Sequence, residues 1–73
     1  MDLNQKCERI RELLKEYGLN YNWLMRELKV KYGIIACRSE ISDFLCGRRH
    51  AAKADDVINA SLLLLNDYGE KYA

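Results

Sequence analysis

No proline interrupts this chain, and its apolar residues recur three and four positions apart between four glycines. Proline and glycine are the strongest local breakers of regular structure, so a chain that lacks the first and spaces out the second is restricted to a short series of helices. Gly18, Gly33, Gly47 and Gly69 mark the expected stops, because glycine adopts the left-handed backbone that commonly ends a helix at no steric cost. Leu3, Cys7, Ile10, Leu14 and Tyr17 form a first apolar stripe, widened by Leu13. Asn20 is a good cap for a second helix, on which Tyr21, Leu24, Met25, Leu28 and Tyr32 share a face. A third, the octapeptide from Arg38 to Leu45, sets Ile41, Phe44 and Leu45 on one side against Arg38, Ser39, Ser42 and Asp43 on the other. A fourth runs from about Lys53 to Asp67, with Asp55 and Asp56 in the first turn, where the helix dipole favours negative charge. The chain is therefore read as a single all-α domain over residues 1–73, with four main helices near 3–17, 20–32, 38–46 and 52–67 and room for a fifth. Leu14, Leu24, Leu28, Ile41, Phe44, Leu45 and Ile58 are expected to form the core, with the connector Ile34, Ile35 and Ala36 packing into it.

A chain of 73 residues buries only about 60% of the surface its unfolded form exposes, so its core is thin and a partner subunit would help it. Four leucines in succession, 62–65, cover more than one helix face. Leu63 or Leu64 is therefore expected to meet a second copy, the simple alternative being a fully buried terminal helix. No apolar run approaches the roughly 20 residues that span a bilayer, and the opening Met1, Asp2, Leu3, Asn4 carries no leader pattern. A cytoplasmic protein without membrane contact is the expectation. Cys7, Cys37 and Cys46 are odd in number, form no C-x-x-C pair and, with His50 as the one histidine, fit no usual zinc spacing. They are read as reduced thiols, and no metal, cofactor or small-molecule substrate is expected. No nucleophile, base and orienting group appear together, so the chain is not expected to be an enzyme.

The formal net charge of +1 conceals an asymmetry, because the stretch from Arg26 to Lys53 holds seven basic residues against three acidic ones, a local +4. Local potential, not the total, attracts a polyanion. Within that stretch the octapeptide, preceded by an amphipathic helix and stopped by Gly47, has the pattern of a recognition helix whose exposed side chains reach base edges in the DNA major groove.

These four short helices resemble the phage-repressor type of helix-turn-helix proteins, the Cro and lambda repressor kind also called the XRE family. The likeness runs from about Ile10 to Leu65 and is strongest over residues 18–28 and 36–49. It implies that Leu24 and Met25 are buried on a scaffold helix, with Met25 where the family usually has alanine, and that Ile41 and Phe44 are buried on the recognition helix. Two features depart from the pattern. Residues 29–35 replace a compact turn of about 3–4 residues, which leaves the inter-helix angle open. Cys37 stands where a Ser or Thr usually caps; Ser39 is the other candidate, and would start the helix later and leave Arg38 in the turn.

On this reading Arg38, Ser39, Ser42 and Asp43 contact bases, since arginine pairs with both acceptors of guanine and serine bonds several base edges. Asp43 repels phosphates, so it accepts from a cytosine amino group, orients Arg38 or Arg48, or lies away from DNA. Lys29, Lys31, Arg48, Arg49, His50 and Lys53 are read as phosphate contacts that fix register without reading sequence. Trp23 lies off the apolar stripe and is expected to be partly exposed. The expected partner is double-stranded DNA and the expected role a small phage or mobile-element transcriptional regulator, binding as a homodimer. The alternative is a protein-binding module of the same topology, an antirepressor or an inhibitor of a host factor, using Trp23, the leucine run or an acidic face.

Overall fold

The computed structural model describes residues 2–48 and 51–72. Those residues form four helices, α1 (Leu3–Glu16), α2 (Tyr21–Tyr32), α3 (Arg38–Leu45) and α4 (Ala52–Tyr72), in the order and nearly the places that the apolar periodicity predicts. None of the helices is long and apolar enough to cross a membrane.

Each helix begins and ends for a local reason. Asp2 caps α1 by accepting from the Gln5 backbone N–H at 2.8 Å, and Gln5 returns a bond from its side chain to the Asp2 N–H at 3.1 Å. This reciprocal box satisfies two of the donors that a helix N-terminus otherwise leaves unpaired. At the other end Gly18 takes a left-handed φ of +68°, and the Leu19 N–H reaches the Leu14 carbonyl at 2.8 Å. Asn20 then caps α2 through its Oδ1, which accepts from the Trp23 N–H at 2.9 Å.

One core holds the four helices together. Cys7, Ile10, Leu13 and Leu14 of α1 meet Leu24 and Leu28 of α2, Ile41, Phe44 and Leu45 of α3, and Val57, Ile58, Leu64 and Leu65 of α4. All seven residues expected in the core are there. Burying each such aliphatic side chain contributes about 1.5–3 kcal/mol before entropy is counted. The longest interface is α1 against α4, and α3 packs against all three other helices, with its apolar side inward and its polar side out. The buried hydroxyl of Ser61 donates to the Val57 carbonyl at 2.6 Å, so the core leaves no polar group unsatisfied there.

Four expectations need correction. Gly69 does not stop α4, which continues to Tyr72; it lies against the Tyr17 ring, whose phenol oxygen a Cβ there would overlap. Leu64 is buried in the molecule's own core and is not a surface for a second copy, whereas Leu63 is 58% exposed. Ile35 is 72% exposed, so of the connector only Ala36 is fully buried, with Ile34 half-buried. Tyr32 lies on the surface, and Met25 is half-buried where full burial was expected. Helix α2 runs on to Tyr32 at its exposed C-terminal end, and residues 33–37 connect it to α3.

Candidate nucleic-acid interface

The outer side of α3 begins at a cap that the sequence does not advertise. Cys37 occupies the N-cap position, and Glu40 Oε1 accepts from its backbone N–H at 3.3 Å. Ser39 therefore does not cap the helix, and Arg38 is its first residue. The same Glu40 carboxylate holds Lys53 of α4 at 3.3 Å. The Cys37 N–H and then Lys53 favour the charged form, so Glu40 titrates below its ordinary range. This Cys-x-x-Glu box fixes where α3 starts, and the buried Ile41, Phe44 and Leu45 set which side chains face out.

The C-terminus of α3 is fixed more tightly. Gly47 adopts φ +75°, its N–H donates to the Phe44 carbonyl at 3.3 Å, and the Arg48 N–H donates to the Asp43 carbonyl at 2.9 Å. That pairing is the Schellman arrangement. It reverses the chain so that Arg48 runs back beside the helix it follows. The Arg11 guanidinium of α1 donates to the Leu45 carbonyl, placing a cation at the negative end of the α3 dipole.

Between these two ends Arg38, Ser39, Ser42 and Asp43 are brought to one surface, together with Arg48 and Tyr21, around a shallow depression of about 480 Å³. Arg38 and Ser39 are exposed; Ser42 and Asp43 are half-buried. Arg48 Nε lies 3.2 Å from Asp43 Oδ1, and its Nη2 donates to Ser42 Oγ at 3.3 Å. Asp43 is thus paired with Arg48. A second depression of about 320 Å³ shares Tyr21 and Arg38 with the first and extends to Asn20, Lys15 and Arg11. The two form a continuous surface across α3, the N-terminus of α2 and the C-terminal half of α1.

Arg11 and Lys15 were missed by reasoning from the charged stretch, because they lie outside it in sequence. The signal was their spacing of four on α1, which puts both on one helix face. Conversely, some predicted phosphate contacts lie elsewhere. Lys31 lines the groove between α2 and α4 with Trp23 and Tyr68, and pairs with Glu27 at 3.7 Å and Asp67 at 3.9 Å. The helical period is the cause, since residues 23, 27 and 31 share the side of α2 that faces α4. Lys53 is half-buried and committed to Glu40. Lys29 is exposed on α2 but lines neither depression. Arg49 and His50 lie outside the described residues.

Trp23 is half-buried and meets Tyr68 edge-on at 5.6 Å between ring centroids, while Tyr68 also stacks with Tyr17 at 5.2 Å and Tyr72 at 4.8 Å. Its main work is to hold α2 to the end of α4. The Cys7 thiol is buried beneath the end of α3, 3.7 Å from the Phe44 carbonyl, and desolvation pushes its pKa up. Cys37 and Cys46 are exposed, and all three are free thiols. Among the described residues no three His, Cys, Asp or Glu side chains converge as a metal site would require. No protein-family model, curated protein or solved structure matches this chain.

Proposed function

We propose that this domain binds double-stranded DNA sequence-specifically, inserting α3 into the major groove, and acts as a small transcriptional regulator of the phage-repressor helix-turn-helix type. The observation that carries this reading is the outer face of α3, where Arg38, Ser39, Ser42 and Arg48 surround one depression that continues without a break to Lys15 and Arg11. Side chains at the start of α3 read base edges there. Lys15 and the N-terminus of α2, with its aligned N–H groups, take the flanking phosphates. One copy measures 31 × 25 × 17 Å, so two copies side by side can hold their α3 helices about 34 Å apart, one turn of B-DNA.

The test is electrophoretic mobility shift or fluorescence anisotropy on duplex DNA from upstream of the protein's own coding region, against shuffled duplexes, across a salt series. Each phosphate that Lys15 or another cation of this surface neutralises contributes about −0.9 to the slope of log K against log salt. No binding even at low salt would refute the reading. The groove between α2 and α4, with Trp23, Tyr68 and the exposed Tyr72, is the observation that favours the second reading, a protein-binding module.

A further inference from the structure

Arg48 is anchored in a way that a phosphate contact does not need. Attraction to a phosphate requires only a charge on a stem, and a freely moving arginine supplies it. Here both the backbone and the side chain of Arg48 are bound to residue 43: its N–H to the Asp43 carbonyl at 2.9 Å and its Nε to the Asp43 carboxylate at 3.2 Å, with Ser42 Oγ accepting from Nη2 at 3.3 Å. The Arg48 side chain nevertheless stays at the surface, 64% exposed, while the Asp43 side chain is 29% exposed. From this geometry we infer that Arg48 reads a guanine in the major groove and that Asp43 is its positioning residue, an inference that rests on the DNA-binding reading above.

Three physical arguments converge on it. A carboxylate in the middle of a surface that meets a polyanion costs affinity for every sequence, and its retention beside Ser42 is explained if it fixes the direction of a cation. A guanidinium carries five N–H donors in a rigid fork, of which Asp43 and Ser42 engage two, so enough remain for the paired contact to O6 and N7 of guanine. Holding the fork before binding removes most of the side-chain entropy that such a contact would otherwise cost. The Gly47 turn is what makes this possible, because its left-handed backbone returns the chain along α3. The reading face therefore includes a residue beyond the end of the helix.

The experiment begins with selection of the preferred duplex by the wild-type chain from a randomised pool, followed by anisotropy titrations on that duplex and on random DNA. Three variants are compared: Arg48→Lys, which keeps the charge and loses the fork; Asp43→Asn, which keeps the shape and loses the charge; and Asp43→Glu, as the conservative rescue. Replacing one guanine of the selected site by 7-deazaguanine should cost wild type about tenfold in affinity and cost Arg48→Lys, which lacks the oriented fork, less. Asp43→Asn should bind random DNA more tightly than wild type, having lost a negative charge, yet show a specific-to-random ratio lower by about tenfold. Asp43→Glu should recover part of that ratio. A merely structural Asp43 would shift the melting temperature and leave the ratio alone. Arg48→Lys discriminating as well as wild type, or Asp43→Asn raising both affinities equally, overturns this inference while DNA binding stands. A wild-type chain that binds no DNA overturns the parent reading and this one with it.

Discussion

Substituting Gly69 by alanine should destabilise this protein, against the ordinary rule for a glycine inside a helix. That rule gives alanine an advantage of roughly 0.8–1 kcal/mol. Here the added Cβ would overlap the Tyr17 phenol oxygen and approach Cζ to 3.3 Å, so the ring has to shift off α4. Tyr17 is half-buried and stacked on Tyr68 at 5.2 Å; such a pair contributes about 0.5–1.5 kcal/mol beyond its area. Re-exposing apolar ring surface, at about 25 cal/mol per Å², adds on the order of 1 kcal/mol. The losses exceed the propensity gain, and the net cost should be about 1 kcal/mol. Urea titrations followed by circular dichroism at 222 nm measure it, with an unchanged slope confirming that the transition stays comparable.

A double-mutant cycle isolates the cause. In a Tyr17→Ala background the obstacle is gone and Gly69→Ala should stabilise by about 0.5–1 kcal/mol, so the sign reverses and the coupling approaches 2 kcal/mol. Tyr17→Phe removes only the oxygen and should make Gly69→Ala close to neutral. If Gly69→Ala stabilises the wild-type chain by the full helix-propensity amount, Tyr17 is not docked on α4 and the reasoning is wrong. The contact bears on function because Tyr17 precedes the Gly18–Asn20 turn, which sets where Tyr21 and the N-terminus of α2 meet the α3 surface.

Three further outcomes are expected. Arg38→Ala should cost about 1–3 kcal/mol mainly on the selected DNA, whereas Lys15→Ala should weaken all duplexes alike and reduce the salt slope by about one unit; equal behaviour would erase the division between base and phosphate contacts. Glu40 has a folded-state pKa below its unfolded 4.5, so its contribution is present above 4.5 and is lost as the pH falls through the lower folded value; Glu40→Gln should flatten the dependence of melting temperature on pH below about 5, and an unchanged profile would mean that the cap contributes nothing. A dimer formed through α4 rests on Leu63, because Leu64 is core: Leu63→Glu should stay folded and lose operator affinity, Leu64→Ala should cost about 2–5 kcal/mol of stability, and a wild-type monomer in sedimentation at roughly tens of micromolar would remove the dimer.

What the sequence displayed, and what it hid, divides along one line. Helix number, helix phase and the core from Leu14 to Ile58 follow from local periodicity, and local periodicity is read directly from residue spacing. The facing of Arg38, Ser39, Ser42 and Asp43 follows in the same way, because Ile41 and Phe44 fix the phase of α3. The roles of Gly69 and Glu40 were hidden because each depends on a residue distant in sequence. Gly69 is a glycine on account of Tyr17, and Glu40 joins its own cap to Lys53 on another helix. Leu64 is inward and Leu63 outward because Val57, Ile58, Ser61, Leu64 and Leu65 share the buried face of α4 at helical spacing, a phase that the run of four leucines masks in the sequence.

Charge gives the sharpest form of the same lesson. The basic segment from Arg26 to Lys53 looks like one electrostatic feature in the sequence, yet folding disperses it. Lys31 goes to the α4 side with Glu27 and Asp67, Lys53 goes to Glu40, and Arg38 and Arg48 remain on the α3 face. What restores a positive surface is α1, whose Arg11 and Lys15 lie beyond the segment and reach the same face in three dimensions. The last turn of α2 carries Lys31 to the α4 side, and its first turn presents Tyr21 beside Asn20 and Arg38. The α3 surface is thus assembled from the end of α2 opposite to Lys31, where Asn20 and Gly18 keep the turn short.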